Sequence, residues 1–66
     1  MNIIVNGEVR ELAASTTVME LVSAMELVNK RIAVELNREI ISRSRFAETQ
    51  LCDGDRVEIV HAIGGG

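Results

Sequence analysis

Only one stretch of this 66-residue chain has the apolar spacing of a helix, and this feature most constrains its fold. Its apolar residues recur three or four positions apart, as on one side of an amphipathic helix: Val18, Leu21, Val22 and Met25. Thr17 and Glu20 have the spacing of a capping box, in which each side chain bonds to the other residue's backbone amide. We therefore predict one helix over residues 18–27 that ends near Asn29.

The first twelve residues have the pattern of an antiparallel hairpin. Residues 1–5 are rich in β-branched side chains, and residues 8–12 alternate between polar and apolar. Asn6-Gly7 lies between them, and both residues accept the positive φ angles of a type I′ turn. The pattern predicts two strands and a tight turn within residues 1–12.

Further strand-like segments follow the helix. Residues 31–36 alternate again, Asn37-Arg38 predicts a tight turn, and residues 39–41 predict a short strand. The Asp53-Gly54-Asp55 sequence is typical of a turn, because aspartate bonds to its own backbone and glycine supplies positive φ. A last strand over residues 56–60 should follow it, with Val57 and Ile59 on one face and Val60 and Ala62 on the other.

Residues 42–49 are mostly polar, and we expect a loop with one 3₁₀ or helical turn there. Phe46 should fold from this loop onto the core, and Leu51 should pack under the turn that follows.

These elements predict an α+β fold. One helix covers one face of a sheet, so the other face should meet solvent. We expect a mixed sheet of about five strands, with the first and last strands as parallel, central neighbours. This order is the β-grasp, or ubiquitin-like, arrangement. Residues 1–62 would form the domain and residues 63–66 a flexible C-terminal tail.

Composition argues against several classes of function. Seven basic residues against ten acidic ones give a net charge of −3, and there is one Phe with no Trp or Tyr, so nucleic-acid binding is not expected. No apolar run reaches the ~20 residues of a membrane span. The single cysteine, Cys52, fits a reducing cytoplasm. We expect a cytoplasmic monomer that binds neither nucleic acid nor membrane.

The side chains offer little catalytic chemistry. His61 is the only histidine, and it needs a partner and a pocket to act as a general base. Cys52 has no neighbouring base in the sequence to activate it as a nucleophile. The sequence contains no cluster of Cys and His residues that would predict a zinc site. The chain is therefore expected not to be an enzyme and to bind no metal or cofactor.

The C-terminal sequence Ile63-Gly64-Gly65-Gly66 is open to two interpretations. Glycine adds nothing to a core and loses much backbone entropy on ordering, so the tail could be an inert end. Alternatively, a tail without side chains could enter a narrow channel of a partner enzyme and deliver the Gly66 carboxylate. Joined to AMP, that carboxylate becomes electrophilic, and sulfur can replace the AMP to give a thiocarboxylate.

The sequence resembles the ubiquitin-like sulfur carriers of the ThiS/MoaD family over essentially its whole length. The resemblance lies in the first strand with its Asn-Gly turn, in Thr17-Val18-x-Glu20-Leu21, and in residues 33–41. Its most specific part is the run from Asp53 to Val60 followed by the terminal glycines. Members often carry Pro and Trp in the loop after the fourth strand, where this chain has Ser42 and Phe46.

The resemblance implies a sulfur carrier of thiazole (thiamine) biosynthesis. Gly66 would be adenylated by an E1-like adenylyltransferase (ThiF-like) that uses MgATP. It would then receive sulfur from a donor such as a cysteine desulfurase and pass it to a thiazole synthase (ThiG-like). Gly64 and Gly65 would belong to the reactive tail. The alternatives are a MoaD-like small subunit of molybdopterin synthase and a ubiquitin-like modifier or interaction domain.

We also expect a docking surface on the sheet face that lacks the helix. Alternation places Ile4, Val60 and Ala62 there, and Ile63 follows them into the tail. Clustered exposed apolar residues often mark an interaction site, whereas isolated ones on a solvated sheet need no explanation.

Overall fold

The computed structural model describes residues 1–61, which form a five-stranded sheet with one α-helix. The elements in chain order are β1 (Asn2–Val5), β2 (Glu8–Glu11), α1 (Val18–Ala24), β3 (Ile32–Leu36), β4 (Glu39–Ile41), a 3₁₀ helix (Arg43–Glu48) and β5 (Arg56–His61). The strand order is β2-β1-β5-β3-β4, with β1 and β5 parallel and the other neighbours antiparallel. The predicted α+β, β-grasp architecture is confirmed.

Two tight turns set the register of the antiparallel hairpins. Asn6 and Gly7 have φ angles of 51° and 84° and join Val5 to Glu8. Asn37 and Arg38, at 49° and 73°, join β3 to β4 in the same way. Two consecutive positive φ angles match the right-handed twist of the flanking strands. Both turns lie where the sequence predicted them.

The helix begins as predicted but ends earlier than residue 27. Thr17 and Glu20 form the capping box, with Thr17 Oγ1 accepting from the Glu20 amide at 3.1 Å. The predicted end near Asn29 is wrong, because Glu26 takes a φ of 61° and closes a Schellman motif. In that motif the amide of Leu27 donates to Val22 O at 2.9 Å, and the amide of Glu26 donates to Ser23 O at 3.0 Å. No helix in the described part of the chain has the length and apolar character needed to span a membrane.

The core lies between α1 and one face of the sheet. Its buried side chains come from three strands (β1, β3 and β5), the helix, the 3₁₀ helix and the segment before β5: Ile3, Val5, Val18, Leu21, Val22, Val34, Phe46, Leu51, Val57 and Ile59. Phe46 and Leu51 are buried as predicted, at 2% and 3% exposure. No polar side chain within residues 1–61 is buried. The core is therefore wholly apolar in this part of the chain.

The Asp53-Gly54-Asp55 turn fixes the start of β5. Asp53 Oδ1 accepts from the backbone amide of Asn2 at 2.7 Å, and Gly54 donates to Asn2 O at 2.8 Å. The two carboxylate oxygens of Asp55 accept from Cys52 N at 2.7 Å and from Asn37 Nδ2 at 3.0 Å. The carboxylates of Asp53 and Asp55 therefore accept hydrogen bonds from backbone amides and from the Asn37 side chain of the neighbouring turn. The segment is the turn that the sequence predicted.

Candidate functional site

Strand β5 leads to the predicted reactive group. His61 is its last residue, and the predicted tail residues Ile63, Gly64, Gly65 and Gly66 lie outside the described residues, as does Ala62. The division into a domain over residues 1–62 and a tail therefore stays a prediction. Five residues follow His61 in the sequence, and they span at most about 18 Å when fully extended.

The root of that segment is held firmly in the sheet. β5 is the central strand and pairs with β1 on one side and with β3 on the other. Val57 and Ile59 are buried, at 0% and 6% exposure, against the helix. A strand bonded to β1 at its start, bonded to β3 as far as His61 and buried on one face gives the segment that follows it a fixed starting point.

Asn6 adds a contact to β5 that the sequence did not indicate. Its backbone amide donates to Val57 O at 2.9 Å, and its side-chain Oδ1 accepts from the Ile59 amide at 2.7 Å. The Asn-Gly pair predicts the turn, but the reach of the side chain depends on the pairing of two strands 50 residues apart in sequence. Only that pairing could have revealed the contact.

The sheet face away from α1, called here the free face, carries the predicted docking residues. Its side chains alternate with the buried ones, and paired positions share a face. The residues of the free face are Asn2, Ile4, Val9, Glu11, Ala33, Glu35, Ile40, Arg56, Glu58 and Val60.

Ile4 and Val60 share the free face but do not adjoin each other. Val60 is 57% exposed and lies opposite Ala33. Ile4 is half-buried and lies opposite Arg56, four residues before Val60 on β5. At ~3.3 Å per residue this offset is about 13 Å. The two residues therefore do not form a single cluster, and Val60 alone lies at the end of β5 nearest the tail.

Two exposed apolar residues of the free face were not among the predicted docking residues. Val9 is 69% exposed and lies opposite Ile4, and Ile40 is 76% exposed and lies opposite Glu35. The alternation of residues 8–12 and the turn before residue 39 could have placed both on this face. Their neighbours across the sheet depend on strand order, which alternation does not give.

The free face also carries net negative charge, from Glu11, Glu35 and Glu58 against Arg56. Glu35 and Glu58 lie directly opposite each other on β3 and β5. The one ion pair within residues 1–61 joins Arg45 to Glu48 at 3.2 Å, away from this face. Like charges at opposed positions destabilise a sheet, so this pair adds nothing to the stability of the fold.

Other reactive side chains are not organised into a site in the described residues. Cys52 is exposed, and its backbone amide is bound by Asp55. His61 is exposed at the end of β5. Residues 1–61 form no pocket, and no group of three His, Cys, Asp or Glu side chains there could hold a metal ion.

Comparison with known proteins points to one family. The model of the ThiS family matches residues 3–66. The sulfur carrier protein ThiS of Bacillus subtilis is 48% identical over 50 residues, which cover 76% of each chain. A thiazole synthase of Paramagnetospirillum magneticum is 42% identical over all 66 residues, and this chain spans only about a fifth (20%) of that protein.

A solved structure supports the same relationship. The crystal structure of a thiamine biosynthesis protein (ThiS) from Geobacter metallireducens is 40% identical and matches with a TM-score of 0.86, covering the whole of both chains. Similarity in sequence and in backbone therefore extends over the same full length.

Proposed function

Because the chain belongs to the ThiS family, we propose that it is a sulfur carrier of thiamine biosynthesis that bears sulfur on Gly66. One observation carries the proposal beyond the family. The central strand β5 is bonded to β1 at its start and to β3 as far as His61 and is buried on one face, and the sequence ends five residues later on three glycines. A rigid root followed by residues without side chains suits delivery of a terminal carboxylate into a narrow site.

The proposed chemistry takes place on the Gly66 carboxylate. One carboxylate oxygen attacks the α-phosphorus of MgATP, an O–P bond forms, and pyrophosphate leaves. A sulfur nucleophile such as hydrosulfide then attacks the acyl carbon of the adenylate, a C–S bond forms, and AMP leaves with the shared oxygen. The product is a terminal thiocarboxylate. Its sulfur is a nucleophile that a further enzyme can use.

The catalysts of these steps are partner enzymes. Within residues 1–61 there is no pocket, so this part of the chain offers no place for ATP. We propose an E1-like, ThiF-like adenylyltransferase as the activating partner and a cysteine desulfurase as the source of sulfur, with a thiol reductant that releases the sulfur of the desulfurase persulfide as hydrosulfide. The carrier itself binds no cofactor and works in the cytoplasm.

A thiazole synthase is the proposed acceptor of the sulfur. Two proteins named thiazole synthase, from Paramagnetospirillum magneticum and Magnetococcus marinus, contain a segment 42% and 36% identical to this whole chain. In such a protein the carrier-like segment and the thiazole synthase belong to one polypeptide, so they stay together. This supports a direct encounter between the separate carrier and a thiazole synthase.

The free face is the proposed docking surface for the activating enzyme. Val60 presents exposed apolar area next to the tail, and Glu58 and Glu35 bring negative charge beside it. A partner groove with an apolar centre and a basic rim would complement this face and the net charge of −3. Ala62 and Ile63 would extend the contact into the tail, whereas Ile4, about 13 Å from Val60 and beside Val9, would lie at its margin.

Pyrophosphate exchange tests the proposed function. With the E1-like enzyme and MgATP, the full chain should support exchange of labelled pyrophosphate into ATP, and removal of Gly66 should abolish it. His61→Ala and Cys52→Ser are the matched controls and should keep wild-type exchange, because their side chains take no part. Loss of exchange in either control, or full exchange without Gly66, would refute the assignment of the reactive group.

A further inference from the structure

We propose that three basic residues at one end of the sheet, Lys30, Arg31 and Arg43, form a cationic cluster that binds an acidic surface of the activating enzyme. The cluster is separate from the acidic free face and lies beside His61, the last residue of β5. It gives the same partner a second contact, so the proposal rests on the proposed function. These side chains take no part in the chemistry at Gly66.

Strand pairing and a hydrogen bond bring the cluster together beside the end of β5. Ile32, the first residue of β3, lies opposite His61, and Lys30 and Arg31 directly precede it. One strand spacing and two residues of chain separate the backbone of Lys30 from that of His61, which is at most about 13 Å. Arg43 joins them from the 3₁₀ helix, because its guanidinium donates to Lys30 O at 2.7 Å.

The positive charge of the cluster is not paired with negative charge in the described part of the chain. The side chains of Lys30 and Arg31 are exposed, and among residues 1–61 they make no hydrogen bond or ion pair. The acidic residue nearest to Lys30 in the sequence is Glu26, four positions before it, and no ion pair joins the two. Like charges held this close repel each other, so gathering them does not stabilise the fold. Lys30 and Arg31 therefore present their charge to a partner.

Arg43 makes the cluster a fixed feature of the surface. Its guanidinium also donates to Val28 O at 2.8 Å and lies 5.5 Å from the centroid of the buried Phe46 ring. The loop that carries Lys30 and Arg31 is thus tied to the core through Arg43, and the pairing of β3 holds its far end. Charges that are positioned before binding lose less conformational entropy when a partner contacts them.

The shape of this region favours an acidic protein surface over a small anion. Residues 1–61 form no pocket that could enclose a phosphate or a nucleotide. An open group of cations instead complements carboxylates that are spread over a partner's surface. The free face carries net negative charge and needs the opposite complement. The two regions together would fix the orientation of the carrier on the enzyme as well as attract it.

Steady-state adenylation kinetics test the cluster. K30Q/R31Q should raise the KM for the carrier about threefold to thirtyfold at low ionic strength, because two surface ion pairs with the enzyme are lost. The kcat should stay unchanged, since Gly66 reacts in the same way once it is bound. In about 1 M salt, where the Debye length is about 3 Å, the KM values of the variant and the wild type should agree within about twofold.

R10Q/R38Q is the matched control, because it removes the same net charge from exposed arginines of strand β2 and of the β3–β4 turn. Its KM should stay within about twofold of the wild-type value. Equal rises in the two double variants would show that only net charge matters and would overturn the proposal, as would a wild-type KM in K30Q/R31Q. If the wild-type chain is not adenylated at all, it is the proposed function that fails.

Carbodiimide cross-linking of the wild-type chain to the activating enzyme tests the contact without a variant. The reagent joins an amine to a carboxylate in contact with it, and Lys30 is the only lysine in the sequence. The other amine, that of Met1, donates to Leu12 O at 2.7 Å at the opposite end of the sheet. We expect peptide mass spectrometry to find Lys30 joined to an Asp or Glu of the enzyme. Cross-links through Met1 alone, or none from Lys30, would overturn the proposal.

Discussion

Five residues other than glycine have positive φ angles in the described part of the chain: Asn6, Ser15, Glu26, Asn37 and Arg38. Asparagine tolerates this conformation well, which is why the sequence predicted the Asn6 and Asn37 turns. Glutamate has no such preference. The end of α1 at Ala24, which the conformation of Glu26 sets, could therefore not be predicted from the apolar spacing, which runs through Met25.

Replacing Glu26 by glycine should stabilise the chain. A left-handed conformation costs a residue with a Cβ atom about 1–2 kcal/mol, part of which is offset by the greater entropy of glycine in the unfolded chain. We expect E26G to raise the free energy of unfolding by about 0.5–1 kcal/mol in urea denaturation. Ser23→Gly, three residues earlier inside α1, should lower it by about 1 kcal/mol. A loss of stability in E26G equal to that in S23G would contradict the Schellman assignment.

Helix α1 and the loop after it depend on side-chain contacts that the helix and strand propensities of single residues do not predict. Helix α1 has seven residues, too few to be stable alone, and the loop after it contains no regular structure. The guanidinium of Arg43 fixes that loop by donating to Val28 O at 2.8 Å and to Lys30 O at 2.7 Å. It also lies over the Phe46 ring, 5.5 Å from its centroid.

Replacing Arg43 by lysine should destabilise the fold although the charge is kept. A lysine ammonium lacks the planar fork that reaches two carbonyls at once and stacks less well on an aromatic ring. We expect a loss of about 1–2 kcal/mol in the free energy of unfolding. Arg45→Lys, in the same 3₁₀ helix and in an exposed pair with Glu48, should change it by less than about 0.5 kcal/mol. Equal effects of the two changes would show that the guanidinium fork of Arg43 is not needed.

The sequence predicted the element order of the whole molecule because each strand alternates clearly and only one segment has helical spacing. It also placed Phe46 and Leu51 in the core. It did not predict that Ile4 and Val60 lie about 13 Å apart, because alternation gives the face of a residue and not its register with a distant strand. For the same reason the sequence did not give the cross-strand neighbours of Val9 and Ile40, although alternation could have placed both residues on the free face.

The docking role of the free face predicts different effects at its two ends. V60D places a charge in the centre of the proposed contact and should raise the KM for adenylation tenfold or more, which corresponds to a loss of about 1.4 kcal/mol or more in binding free energy. V9D makes the same change at an exposed residue of the edge strand and should leave the KM within about twofold. Both variants should keep a cooperative unfolding transition. Wild-type loading of V60D would exclude Val60 from the interface.

The most direct test of the central claim is mass spectrometry of the full chain purified from its host. We predict a species heavier by about 16 Da, the difference between sulfur and oxygen, with the gain localised to Gly66. The same species should form in vitro from the unmodified chain with the E1-like enzyme, MgATP and a sulfur donor. An unmodified Gly66 carboxylate under both conditions would contradict the proposal that this chain carries sulfur.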